Sequence, residues 1–155
     1  MSKTGKDGRG AYDKSRYQPG LSSVGQYQVG AIPWISSSCL VRPSGESPVQ
    51  FEFPYVSKFV TVINEHSGSN AALRVGFSNN GCVGGDNVDH YFLLNNGESY
   101  TGEWRVTSVY LMGDTNPTTA SIVAGLTGIP SNSLRSNWSG SSDDNHKLLG
   151  NKQAI

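Results

Sequence analysis

The sequence predicts an all-β fold: an eight-stranded antiparallel sandwich, a single jelly roll, with extended N- and C-terminal tails. Glycine and serine supply 19 and 22 of the 155 residues, far above the usual share of turn formers. Charged residues are only 15% of the chain, a composition unsuited to a helical bundle or coiled coil. Apolar residues at 35% and aromatic residues at 10% still suffice for a core.

Short runs of alternating or apolar residues predict the strands. Residues 49–53 alternate strictly between apolar and polar side chains, which is typical of a half-buried strand. Residues 103–111 form the longest candidate, in which Trp104 and Val106 share one face and are expected in the core. The other candidates, of which the first two are weaker, are 28–34, 37–41, 59–63, 73–77, 90–94 and 120–126.

Turn-forming residues separate these runs. Asn79-Asn80-Gly81 and Asn95-Asn96-Gly97 are expected to form tight reversals, because Asn and Gly tolerate positive φ. Eight short strands spaced by roughly ten residues indicate a sandwich or jelly roll. No segment shows the 3.6-residue periodicity of an amphipathic helix.

Composition and charge divide the chain into three parts. Residues 1–26 are predicted to be an extended basic arm, 27–128 the jelly-roll sandwich, and 129–155 an extended C-terminal tail. Five basic and two acidic residues give residues 1–30 a net charge of +3, while four basic and eight acidic residues give 31–128 a net charge of −4. The arm is therefore suited to acidic neighbouring surfaces or nucleic acid, although a solvated tail has the same composition.

No residue pattern predicts catalysis, so the chain is not expected to be an enzyme. His66, His90 and His146 are scattered, and with 22 serines some Ser–His–Asp combination is always available. The 79–89 segment, with Asp86 and Asp89, lacks the order of a calcium loop and is better explained as a long connection. No metal, cofactor or catalytic residue is therefore assigned.

Neither a secretory signal nor a membrane span is recognised in the sequence. Cys39 and Cys82 are accordingly expected to be reduced, inert thiols near the core. An alternative function is carbohydrate binding, with Trp34, Trp104 and Trp138 as a stacking platform, although Trp34 and Trp104 are equally suited to packing.

The tails favour a role in assembly, because extended arms can wrap a neighbouring subunit. The candidate assembly residues are basic side chains for acidic surfaces and apolar or aromatic anchors. They are Lys3, Lys6, Arg9, Lys14 and Arg16 in the first group, and Tyr12, Tyr17, Leu21 and Trp138 in the second.

Several strand and turn strings, covering roughly residues 55–142, resemble a known group of proteins. They are FVTVIN at 59–64, LRVGFS at 73–78, HYFLL at 90–94, ESYTGEWRV at 98–106, AGLTGIP at 124–130 and NWSGS at 137–141. Together they resemble the small single jelly-roll capsid proteins of large algal double-stranded DNA viruses, such as chloroviruses and other phycodnaviruses. The similarity is one of strand and turn strings and includes no catalytic signature.

The resemblance implies a structural role in an icosahedral virion, with synthesis and assembly in the host cytoplasm. A single jelly roll of this length fits the penton protein, which forms homopentamers at the vertices. Its partners would be further copies of itself, the major and minor capsid proteins and the inner membrane surface, without specific recognition of nucleic acid. A minor capsid or cement protein that ties capsomers together is the alternative within the same group.

Overall fold

The computed structural model describes residues 19–85 and 89–134, which form two four-stranded antiparallel sheets. Two one-turn α-helices and a 3-10 turn accompany the sheets: α1 Gly25–Gln28, α2 Asn79–Val83 and the 3-10 turn Ser131–Ser133. The strands are β1 Ile32–Val41, β2 Val49–Glu52, β3 Tyr55–Asn64, β4 Leu73–Gly76, β5 Tyr91–Leu94, β6 Ser99–Gly102, β7 Ser108–Gly113 and β8 Thr118–Pro130. The predicted all-β sandwich is confirmed.

The strands pair in a nested order. Sheet A has the order β1-β8-β3-β6 and sheet B the order β2-β7-β4-β5. The first strand therefore pairs with the eighth, the second with the seventh, the third with the sixth and the fourth with the fifth. Successive pairs therefore alternate between the two sheets.

The core lies between the inner faces of the two sheets. Val60 and Val62 of β3 and Ile122 of β8 are buried against Val75 of β4 and Leu111 of β7. Because side chains alternate along a strand, the residues next to these buried ones point to the outer face of their sheet. The strand register therefore determines which residues form each outer face, whatever their hydropathy.

The predicted strands differ from the observed ones at three places. The two weak candidates 28–34 and 37–41 are one strand, β1, interrupted by a bulge between Ser36 and Cys39. The long candidate 103–111 is strand only from Ser108, and a separate strand at Ser99–Gly102, β6, was not predicted. The predicted number of strands, eight, equals the observed number, because two candidates form the single strand β1 while β6 was not predicted.

The ends of the sandwich carry more ordered chain than the sequence predicts. Leu21 and Tyr27, within and beside the predicted arm, pack on a second small cluster formed by Val56, Ile129 and Leu134. Helix α1 includes residues of the predicted arm that were expected to be extended. Its Gln26 side chain accepts a hydrogen bond from the Gly128 backbone N–H. Pairing with β3 carries β8 to Pro130.

Candidate assembly surface

Most residues predicted to mediate assembly lie outside the described part of the chain, and their roles stay predictions. They are Lys3, Lys6, Arg9, Tyr12, Lys14, Arg16, Tyr17 and Trp138. Leu21 is described, and its half-buried side chain packs within its own chain against the Val56, Ile129 and Leu134 cluster. A candidate assembly surface can therefore be described only on the body of the sandwich.

The outer face of sheet A has no charged residue at its register positions. Ile35, Val123, Thr61 and Thr101 lie side by side across the four strands, because each is the register partner of the next. The complete outer face consists of Pro33, Ile35, Leu40, Phe59, Thr61, Ile63, Ser99, Thr101, Thr119, Ser121, Val123 and Gly125.

This face is both exposed and apolar near β1. Ile35 and Leu40 are 64% and 72% exposed, and each projects from the edge strand away from the core. Charged residues occur at its margins, where Lys58 sits at a bulge of β3 and Glu65 and Glu103 directly follow β3 and β6. Large apolar side chains exposed along one edge of an uncharged face are typical of a protein–protein contact.

Local contacts on the outer face of sheet A engage one aromatic ring and three hydroxyl groups. The Phe59 ring lies across Gly125, where a Cβ atom would meet the ring and Ala31. Thr61 and Thr101 share a hydrogen bond of 2.7 Å between their hydroxyl oxygens. The Ser121 hydroxyl accepts the Ser38 backbone N–H at 3.0 Å, so these groups present little unsatisfied polarity to a partner.

The outer face of sheet B is covered instead of open. Helix α2 lies over it, and its buried Cys82 directs the sulfur towards the carbonyl of Tyr110. Arg74 of β4 donates to the Asp114 carboxylate at 2.7 Å and to the Val83 carbonyl at 2.6 Å. Its guanidinium also lies 4.4 Å from the centre of the Tyr91 ring. The two outer faces of the sandwich therefore differ in chemistry.

The tryptophans of the body serve packing and do not form a row. Trp34 packs edge-on against Phe53 with ring centroids 4.9 Å apart. Trp104 packs edge-on against Phe77 and stacks on Tyr100 at 5.6 Å, which closes the open side of the sandwich between β5 and β6. The expectation that Trp104 packs on the core is confirmed, although the residue precedes β7 instead of lying within a strand.

The described histidines are not placed beside a free nucleophile. His90 and Ser78 both flank Gly81, but the Ser78 hydroxyl accepts the Gly81 backbone N–H and thereby caps α2. The Nδ1 atom of His90 is buried and has no hydrogen-bond partner among the described residues. The Asp89 carboxylate accepts the Gly85 backbone N–H at 2.9 Å.

Both described cysteines are free thiols, in different environments. Burial raises the pKa of the Cys82 thiol to about 12, an effect that the nearby Arg74 opposes only partly. Cys39 is half-buried in the edge strand β1, where its sulfur lies 3.0 Å from the Ser36 hydroxyl. Burial also raises the pKa of the Tyr27 phenol, and the positive charge of Arg105 offsets only part of that rise.

Alkylation of the native protein at pH 8 is expected to label Cys39 rapidly and Cys82 at least about a hundredfold more slowly, because the thiolate is the reactive form. Timed iodoacetamide labelling with peptide mass spectrometry measures both rates. A Cys39→Ser variant isolates the slow reaction, and equal rates for the two thiols would contradict the buried placement of Cys82.

The raised pKa of Cys82 also links the stability of the fold to pH. Because the pKa of this thiol is higher in the folded protein than its ordinary value of 9.0, its contribution to stability is complete below about pH 9 and is lost as the pH rises towards 12.

Within residues 19–85 and 89–134, no three His, Cys, Asp or Glu side chains are grouped so that they could hold a metal ion. The helices of this part of the chain are too short to cross a membrane. The chain matched no model of a known protein family and no curated protein.

The uncharged face of sheet A was missed by sequence reasoning, although a signal for it exists. β8 runs for 13 residues without a single charged side chain. Phe59 and Ile63 belong to the mostly apolar candidate 59–63, and both lie on the outward side of the interior strand β3. An uncharged strand with apolar residues on both faces indicates either two-sided burial or a surface that is covered by a partner.

Proposed function

We propose that this protein is a structural subunit of an icosahedral viral capsid, of the penton type, which forms homopentamers at the vertices. The observation that carries the proposal is the exposed and uncharged outer face of sheet A on a single eight-stranded sandwich. An uncharged surface with large exposed apolar side chains, such as Ile35 and Leu40, is typical of interaction sites on a small domain. The resemblance of the strand strings to algal virus capsid proteins supplies the particular class.

The physical requirements of a closed ring are compatible with this chain. A five-fold ring needs a head-to-tail contact between two different patches of each subunit, and the outer face of sheet A offers one uncharged patch for such a contact. The formal net charge of the chain is zero, so copies do not repel one another strongly. The function so proposed requires contacts with major and minor capsid proteins as well as with further copies of the chain.

The test is the assembly state of the purified full-length protein over a range of concentrations. Native mass spectrometry and light scattering are expected to detect a species of five times the 16.6 kDa chain, and electron microscopy is expected to show five-fold rings. Particles of another symmetry would contradict the penton assignment. A monomer at every concentration that binds a glycan array would support the carbohydrate-binding alternative instead.

A further inference from the structure

We propose that the outer face of sheet A is the surface on which a second copy of this chain docks, with Ile35, Leu40 and Val123 as its apolar contact residues towards the β1 edge. The inference rests on the proposed function, because it names the contact through which self-assembly would occur. It identifies a surface on the folded body, distinct from the terminal segments that the sequence singled out.

The first argument is the contrast between the two outer faces. The outer face of sheet B already has α2 across it, and Arg74 is engaged by Asp114, Val83 and Tyr91. On sheet A, the outward residues of the edge strand β1 are exposed, and the described chain places no helix or ion pair over them. Isoleucine and leucine exposed by more than half gain free energy when a partner removes them from water.

The second argument is the chemistry that the face excludes. Phosphate groups need basic residues or free donors, and the register positions of this face carry neither a lysine nor an arginine. Sugar binding also needs polar groups that can bond the sugar hydroxyls, whereas the Thr61, Thr101 and Ser121 hydroxyls of this face already bond within the chain. This face can pack on an uncharged patch elsewhere on a second copy without leaving a charge unpaired.

The third argument is area. An outward residue of a sheet covers roughly 30 Å², so the face covers about 400 Å² of flat sheet. A contact between two copies would bury about 800 Å² in total, below the roughly 1,200 Å² of a standard stable interface. Each contact is therefore expected to be weak by itself. Repetition around a closed ring would make the assembly cooperative and dependent on concentration.

The experiment places a charge on the β1 edge of this face and a matched charge on the outer face of the opposite sheet. Ile35→Glu and Leu40→Glu are the test variants, since both side chains are exposed and the fold should tolerate them. Leu93→Glu is the control, because Leu93 is a 48% exposed leucine on the outer face of sheet B. Circular dichroism and thermal unfolding verify that all three variants fold as the wild type does.

Sedimentation velocity over a concentration series measures assembly. The two test variants are expected to raise the concentration needed for half-assembly at least about tenfold, while Leu93→Glu leaves it within about twofold. Wild-type protein that stays monomeric, or test variants that assemble as the wild type does, would overturn the inference. If the variants fold poorly, Ile35→Thr and Leu40→Thr replace them, and an unchanged assembly would again overturn it.

The outcomes separate this inference from the proposed function. Five-fold rings that survive both glutamate substitutions would remove sheet A as the contact and leave the penton assignment standing. Dimers that dissociate on Ile35→Glu would support the docking surface and contradict the five-fold ring. Loss of assembly with Leu93→Glu alone would move the contact to sheet B.

Discussion

Replacing Asn64 by aspartate is expected to lower the free energy of unfolding by about 4 kcal/mol at neutral pH. Asn64 is fully buried at the end of β3. Its amide nitrogen donates to the carbonyls of Ala71 and Leu94 at 2.8 and 3.0 Å. Its amide oxygen accepts the Thr118 hydroxyl at 3.0 Å and the His66 backbone N–H at 3.1 Å. A carboxylate at this position has an oxygen where the amide nitrogen was, so two hydrogen bonds are replaced by repulsion from two carbonyl oxygens.

The loss of stability in Asn64→Asp should depend on pH, and the two carbonyls that face this side chain determine the direction. Burial beside two carbonyls raises the pKa of the introduced carboxyl above the value of about 3.9 that it has in the unfolded chain. The protonated acid can donate one hydrogen bond, so the Asn64→Asp protein is most stable relative to wild type at low pH. Its stability falls as pH rises from about 4 through the raised pKa.

Urea unfolding of wild type and Asn64→Asp at pH 4 and pH 7 measures both effects. Asn80→Asp is the matched control, because Asn80 is exposed on α2 and its amide oxygen already acts as an acceptor, from Asn79. The control is expected to change stability by less than about 0.5 kcal/mol. Equal losses for the two variants would show that the Asn64 bonds are not important for stability.

Replacing Arg74 by alanine is expected to cost about 3 kcal/mol, because several partners are lost together. The Arg74 side chain is 15% exposed and its partner Asp114 is 31% exposed, so solvent screens their 2.7 Å contact only in part. The same guanidinium holds the Val83 carbonyl at the end of α2 and packs on the Tyr91 ring. Its removal would loosen α2 from the outer face of sheet B.

Arg42→Ala is the matched control for that substitution. Arg42 and Glu46 are 3.8 Å apart, with side chains 61% and 54% exposed, and exposed pairs contribute at most about 1 kcal/mol. Chemical denaturation compares the two losses, and hydrogen exchange at residues 79–83 reports on α2 directly. A loss at Arg74 no larger than that at Arg42 would contradict the role of Arg74 in closing sheet B.

The sequence predicted the sandwich because its signals are local. Alternation at 49–53 and 73–77 placed β2 and β4 to within a residue or two, since one buried face produces that pattern directly. The Asn95-Asn96-Gly97 reversal is also confirmed, with Gly97 at φ +76°. In contrast, Asn79-Asn80-Gly81 begins the helix α2, because the Ser78 hydroxyl caps it.

What the sequence could not predict depends on contacts between distant segments. β6 is short and polar, and it is a strand only because β3 supplies its hydrogen-bond partners. The 103–107 segment alternates like a strand, yet the packing of Trp104 against Phe77 and Phe92 holds it out of both sheets. The uncharged face of sheet A likewise depends on register across four strands, which no single strand reveals.

The nested pairing also determines when this protein can acquire its structure during synthesis. β8 lies between β1 and β3, and β7 lies between β2 and β4. Neither sheet can close until residues 108–130 have left the ribosome, although the strands that await them have been made much earlier. Ile32 pairs with Leu126 across nearly the whole described chain, so folding is expected to be slow and to wait until both segments have emerged. During that interval the edges of β1 and β3 are open to other chains, and chaperones would have their main task there.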